Sequence, residues 1–399
     1  MSLKLINIGE LVTYNSESQS MVIFKDIQIA IDGGKIAQIA NKVSDCDNIL
    51  DCENKLVTPG YVDSHTHPVF LNSRQDDFSY RLSGHSYDDI YKNGGGITSS
   101  IKGVREASDK TLIDSVFNRM NRFLSLGTTT VECKTGYGLS LDSELKSLKI
   151  LDEVNKNHEI DIIPTFMGAH AFPAEYSKDK DRYVKIICDE MIPAVKRQGI
   201  AKFNDVFCEN GYFSIDQSRK ICIVAKKYGL FNRMHADEFT DFGGGELAGE
   251  MSAISADHLM NVSEKGIERM VENNVIGILL PGTTFSLGQD KYAPYKKMKR
   301  MGLEIALATD YNPGSCNIQS MSFILSLACI FLGMNPLDAI KAATYTSAKS
   351  LFIEDITGSI EIGKRSDIIV WDFENCIKIP FMVTDHPIKH IIKSGKILN

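Results

Sequence analysis

His65-Thr66-His67 stands at the end of an apolar run, Leu56-Val57-Thr58-Pro59-Gly60-Tyr61-Val62. In an extended strand, residues i and i+2 face the same way, so the two imidazoles project side by side. Two imidazoles on one face suit a divalent cation such as Zn²⁺. Two satisfied polar histidines at a strand end would read the same, and the rest of the chain must separate these readings. Further candidates follow other apolar runs: His170 after Phe166-Met167-Gly168-Ala169, then His235-Ala236-Asp237-Glu238, Asp257-His258, and Asp310-Tyr311-Asn312. Of nine histidines, six lie at such places or in the loop after the first: His65, His67, His85, His170, His235 and His258. That accumulation favours a metal-dependent site. His235 reads as the third imidazole ligand and Asp310 as a carboxylate in reach of the cation, although Asp310 could instead cap the segment after it. His258 reads as a catalytic or orienting group, and Glu238 lies close to where a substrate would sit. Arg74 has the weakest case on its own, since most arginines are surface charges. His158, His386 and His390 receive no role.

Strand ends can share one site only if the strands lie side by side. The middle of the chain alternates buried-strand candidates with amphipathic helices, the rhythm of a parallel sheet. Eight strands are expected, over 60–64, 128–133, 161–167, 203–207, 229–234, 253–256, 275–280 and 304–308, several of them near-continuous apolar runs. Helices are expected over 111–125, 142–155, 214–227 and 263–273, the last three opening on an Asp or Ser suited to the N-cap. The fold class predicted is α/β, a (β/α)₈ TIM-like barrel over 57–352, with a doubly wound open sheet as the alternative. Both ends read as short alternating strands and hairpins, with Asp32-Gly33-Gly34-Lys35 a turn signal. Residues 1–56 and 353–399 are therefore expected to build one small β-sandwich domain together.

The chain has 399 residues, 43% of them hydrophobic and 24% charged, enough for a large core under an ordinary polar surface. A net charge of −7 argues against nucleic acid or an anionic membrane as partner. An anionic small-molecule substrate remains compatible, because one local arginine can receive it. Nine scattered cysteines without a CxxC pair fit reduced thiols, and no signal-like or membrane-spanning run is visible. The expectation is a soluble cytoplasmic protein.

Segments spread over nearly the whole chain resemble the amidohydrolase superfamily. They are His65-Thr66-His67-Pro68 with Ser73-Arg74, Asn93-Gly94-Gly95-Gly96-Ile97, Glu132-Cys133-Lys134-Thr135-Gly136-Tyr137-Gly138, Met167-Gly168-Ala169-His170, His235-Ala236-Asp237-Glu238, Asp257-His258, Pro281-Gly282-Thr283-Thr284, and Asp310-Tyr311-Asn312-Pro313-Gly314-Ser315. The Thr-Gly-Tyr-Gly and Asp-x-Asn-Pro-Gly-Ser segments are the most specific. They resemble the branch that hydrolyses 4-imidazolone-5-propanoate to N-formimino-L-glutamate in histidine degradation. That resemblance implies one divalent ion, Zn²⁺ or Fe²⁺, held by His65, His67, His235 and Asp310. It implies substrate contacts from Arg74, Tyr137, His170, Glu238, Asn312, Gly314 and Ser315, and catalytic roles for Asp310, Glu238 and His258. A homodimer is implied by the family alone. Relatives with two metals carry a bridging lysine at the end of strand four; here that strand ends Phe207-Cys208-Glu209, and Lys134 lies on strand two. One metal is therefore expected. The rival readings are a purine- or pyrimidine-type deaminase of the same superfamily and a non-catalytic scaffold, the latter at odds with an intact ligand set.

Overall fold

The computed structural model describes residues 2–83 and 95–398, so His85, Asn93 and Gly94 lie outside the described residues. Alternating strands open the chain: β1 (Ser2–Asn15), β2 (Ser20–Phe24), β3 (Ile27–Asp32), β4 (Lys35–Ala40) and β5 (Asn48–Pro59). Gly33 and Gly34 both take positive φ, 54° and 79°, the geometry a two-residue hairpin needs between β3 and β4. Eight parallel strands follow: β6 (Tyr61–Asp63), β7 (Thr128–Lys134), β8 (Asp161–Ala169), β9 (Phe203–Cys208), β10 (Phe231–Ala236), β11 (Ser255–His258), β12 (Ile276–Leu279) and β13 (Ile305–Leu307). Each pairs with the next in sequence order, with helices in the connections, as in a (β/α)₈ barrel. The chain then returns to the first sheet through β14 (Ile368–Trp371), β15 (Ile388–Lys393) and β16 (Lys396–Ile397). That sheet, in the order β16-β15-β14-β5-β1-β3-β4 with β2 on β1, packs a core that includes Leu5, Leu11, Ile29, Val57, Ile368 and Ile392.

The barrel has no β13–β6 ladder, because both strands are only three residues long. It closes just beyond them instead. The Asp310 N–H donates to the His65 carbonyl at 3.0 Å and the His67 N–H to the Tyr311 carbonyl at 2.8 Å. Buried Asp63 accepts from the Thr309 N–H at 3.1 Å and its hydroxyl at 2.6 Å. Closure thus runs through the residues flanking His65, His67 and Asp310.

Helix starts follow local chemistry. Ser214 forms a full capping box with Gln217, and the Ser263 hydroxyl accepts from the Gly266 N–H. The helix expected from residue 111 begins at Asp109, because Ser108 supplies its cap. Asp142 is not a cap: that helix starts at Leu141, and Asp142 sits in its first turn. Strand ends shift as well. β10 and β11 extend through Ala236 and His258, so His235 and His258 lie within strands rather than after them. Among the described residues, no helix is long and apolar enough to cross a membrane.

Trp371 and an ion cluster join the two sheets. The Trp371 indole is fully buried, donates to the Thr58 hydroxyl at 3.0 Å and packs edge-on to Tyr61. Nearby, Lys393 contacts Asp161 of β8 at 2.5 Å and Asp367 at 2.9 Å, while Arg365 reaches the same two carboxylates. Burial alone would raise the Asp367 pKa, but the Lys393 and Arg365 charges outweigh it and hold the carboxyl below its ordinary value. A depressed folded-state pKa supplies stability above the unfolded value near ~3.9 that is lost as pH falls through the folded value. Asp367→Asn is therefore expected to destabilise the fold by about 3–5 kcal/mol at pH 7. The deficit should shrink below about pH 4, as read by denaturant melts across pH.

Candidate active site

The His65-Thr66-His67 segment continues the line of β6 and is held from both sides. The Lys134 N–H donates to the Thr66 carbonyl at 2.9 Å, opposite the bond from the Asp310 N–H and the bond to the Tyr311 carbonyl. Both imidazoles consequently point into the barrel mouth, where His235 of β10 meets them. His67 Nε2 lies 3.3 Å from His65 Nε2 and 3.3 Å from His235 Nε2. Asp310 Oδ1 is 3.6 Å from His65 Nε2 and 3.7 Å from His67 Nε2. The ligand atoms of His65, His67 and Asp310 all lie within 4.8 Å of one another, and the same holds for His65, His235 and His258.

The donor chemistry fits a divalent cation. His65 Nδ1 sits 2.6 Å from Asp257 Oδ2, and His235 Nδ1 sits 3.1 Å from Asp205 Oδ1. A carboxylate on Nδ1 selects the tautomer protonated there and leaves the Nε2 lone pair facing the cluster. Burial, reinforced by Lys134 and the neighbouring imidazoles, pushes the His65 pKa well below its ordinary value. Burial followed by the His170 and His235 rings does the same to His67, so these rings are neutral, as metal ligation requires. Burial also raises Asp310 to about 6, opposed by a 2.5 Å hydrogen bond from the Thr283 hydroxyl. Asp310 and His258 both hold positive φ, 53° and 77°. Such backbone costs about 1–3 kcal/mol per non-glycine residue and clusters at functional sites.

A cavity of about 530 Å³ opens on this cluster, and every residue given a ligand, substrate-contact or catalytic role from sequence lines it except His65, which lies wholly buried beneath. His170 stacks on His67 at 5.0 Å and turns its Nδ1 to the Gly136 carbonyl, and Tyr137 borders both rings. Glu238 lies 3.6 Å from His258 Nε2. Burial and the carboxylates of Asp310 and Glu209 raise its pKa well above the ordinary range. The Asn312 amide is committed to its own loop: its oxygen accepts from the Gly314 and Ser315 N–H groups, and its nitrogen donates to the Asp310 carbonyl and the Ser315 hydroxyl. Arg74 spans the far side. Among the described residues its Nε and NH1 make no hydrogen bond, and the nearest carboxylate, Asp77, stands 3.6 Å away. The guanidinium lies directly over Gly314, where a Cβ would come within 1.8 Å of NH2.

Asp205 and Arg233 escape the strand-end rule because they sit inside strands. Asp205 and Asp257 orient imidazoles from β9 and β11, and Glu132, Lys134 and Arg233 are wholly buried with them. Their signal in the sequence is a charge in the middle of a buried strand, which is rarely accidental. Phe207, Tyr212 and Phe239 form an aromatic wall, with Phe207 and Tyr212 stacked at 4.1 Å. Nothing in their spacing distinguishes them from core residues. Removing the carboxylate behind His65 in Asp257→Asn should weaken retention of a divalent cation about 10–100-fold, measured by chelator competition.

Comparison with known proteins agrees with this geometry. The sequence model of the amidohydrolase family matches residues 56–398. Imidazolonepropionase of Alkaliphilus oremlandii (strain OhILAs) is 41% identical over 407 residues, covering 98% of this chain and 96% of that protein. Imidazolonepropionase of Geobacillus kaustophilus (strain HTA426) is 42% identical, covering 93% and 87%. The fold is that of a 5-methylcytosine deaminase from Klebsiella pneumoniae liganded with 5-fluorocytosine, at a TM-score of 0.76 and 16% identity over 99% of this chain and 97% of that one. A Xaa-Pro dipeptidase with methionine in its active site superposes at 0.72 with 18% identity, each chain covered in full. A buried His/Asp cluster at a barrel mouth and close relatives along nearly its entire length place this chain in the amidohydrolase family, among the imidazolonepropionases.

Proposed function

We propose that this chain hydrolyses the cyclic amide of 4-imidazolone-5-propanoate to N-formimino-L-glutamate, a step of histidine degradation, in keeping with the imidazolonepropionases it resembles. The observation that carries the reading is the pairing, across one cavity, of the His65/His67/His235/Asp310 cluster with an Arg74 guanidinium whose Nε and NH1 make no hydrogen bond among the described residues. A ring bearing a reactive carbonyl at one end and a carboxylate arm at the other fits that pairing. A deaminase of neutral purine or pyrimidine rings has no use for the arginine, and the fold likeness to deaminases says nothing of substrate at 16% identity.

His65, His67, His235 and Asp310 would hold one divalent ion, with both Zn²⁺ and Fe²⁺ compatible with three imidazoles and a carboxylate. When bound, such an ion polarises a carbonyl and lowers the pKa of water to about 7. The remaining work falls to side chains. Asp310 takes a proton from the attacking water and delivers it to the ring nitrogen as the carbon–nitrogen bond breaks, so water is consumed and a carboxylate and a formimino nitrogen result. Glu238, with its raised pKa, faces the other ring nitrogen as an acid–base partner. His258 stabilises charge on the carbonyl oxygen. Arg74 receives the propanoate in two parallel hydrogen bonds, with Tyr137 and His170 beside it. Gly314 and Ser315 complete this end, and Asn312 keeps their loop in shape.

Freshly generated 4-imidazolone-5-propanoate should be hydrolysed by the purified chain, lose turnover on chelation and regain it with Zn²⁺ or Fe²⁺; no turnover under metal-replete conditions would end this reading. Asp310→Asn should lower kcat by roughly 10²–10⁴-fold, and near-native turnover would remove the proton-transfer role. Gly314→Ala displaces the Arg74 guanidinium without touching the metal cluster. It should raise KM about 10–100-fold with little change in Tm, corresponding to a lost charged hydrogen bond.

A further inference from the structure

Lys134 takes no part in the chemistry above, yet its ammonium is wholly buried on β7, behind the imidazoles. A buried charge is retained only where its partners compensate for lost water. Here three carboxylates do so, at 2.9 Å from Glu132 Oε1, 2.8 Å from Asp205 Oδ2 and 4.0 Å from Asp257 Oδ2. Each of the three leads on to the metal-ligating cluster. The other oxygen of Asp205 meets His235 Nδ1 at 3.1 Å. Asp257 Oδ2 meets His65 Nδ1 at 2.6 Å. Glu132 Oε2 accepts from the Thr66 N–H at 3.3 Å, and the Glu132 carbonyl accepts from the Thr66 hydroxyl at 2.6 Å. Thr66 is the residue between the two first-strand histidines.

We infer that Lys134 is a positioning residue: one ammonium fixes the rotation of Asp205 and Glu132, stands against Asp257, and so sets the aim of all three imidazoles at once. An ammonium offers three donors on one point charge, which suits three acceptors approaching from different strands. Buried Arg233 also approaches Asp257, at 3.8 Å, but donates to the Ser64 and Ser350 carbonyls and contacts no metal-cluster carboxylate more closely. A purely structural ion pair would be complete with one carboxylate. Two arms ending on ligand imidazoles, and a third on Thr66 between His65 and His67, are what single out Lys134.

The inference rests on reading His65, His67 and His235 as ligands, and its test uses metal binding without substrate. Full-length wild type, Lys134→Met and Glu132→Gln are stripped of metal, checked for folding by circular dichroism, and titrated with Zn²⁺ against a chelator. Co²⁺ titrations followed by visible absorption report ligand geometry directly. Lys134→Met is expected to fold, to bind Zn²⁺ about 10–100-fold more weakly and to show an altered cobalt spectrum. Glu132→Gln, which keeps shape while removing one anion, should show a smaller loss in the same direction. Wild-type affinity and spectrum in folded Lys134→Met would overturn the inference. If that variant fails to fold, wild-type affinity and spectrum in Glu132→Gln overturn it instead. A wild-type chain that binds neither ion would overturn the ligand reading itself, whereas metal binding without turnover of imidazolone propanoate would leave Lys134's role intact and remove only the substrate.

Discussion

The site depends on holding three imidazoles dry and pointed at one place. Imidazole lone pairs that close would repel unless something positive lies between them or their other nitrogens are firmly held. The structure supplies the hold first. Asp257 and Asp205 anchor Nδ1 of His65 and His235, and both carboxylates are buried beyond the reach of water. Buried carboxylates in turn need cations, and Lys134 and Arg233 are the ones provided. Burial would favour a neutral Asp205, but contact with Lys134, then with His235, holds its carboxyl well below the ordinary range. The polar interior of this barrel is therefore a chain of compensations, each made necessary by the one before it.

Barrel closure and site assembly are the same event. The weakest seam of the barrel lies between its shortest strands, β6 and β13, and the bonds that close it come from the backbones of His65, His67 and Asp310. Closing the seam brings the first and last ligands together although 245 residues separate His65 from Asp310. The positive φ of Asp310 is the local cost of turning a strand end into a ligand, offset by its bonds to His65 and Thr283.

At the opposite wall the requirement is reversed, because there, among the described residues, the charge is left with donors to spare. Among the described residues Arg74 keeps two nitrogens without hydrogen bonds, and its guanidinium occupies space that exists only because residue 314 lacks a side chain. A carboxylate entering from the cavity would complete what the protein leaves open. Asn312 keeps this wall in shape by devoting its entire amide to the loop that carries Gly314 and Ser315.

Much of this was legible in order along the chain. Apolar runs ending in His65-Thr66-His67, His170, His235 and Asp310 identified both the barrel and the rim residues, because strand periodicity and metal-ligand chemistry are local properties of sequence. Ser214 and Ser263 marked helix starts for the same reason. What the sequence left open was everything set by sideways contact between strands. Asp205 orienting His235, Lys134 reaching Asp205 and Asp257, and the Arg74 guanidinium lying over Gly314 each join residues at least 30 positions apart. Register across the barrel wall decides such meetings, and register is fixed by the packing of the whole barrel rather than by any one segment. Residue types and their spacing thus determined which groups could do chemistry; only the closed barrel decided which of them touch.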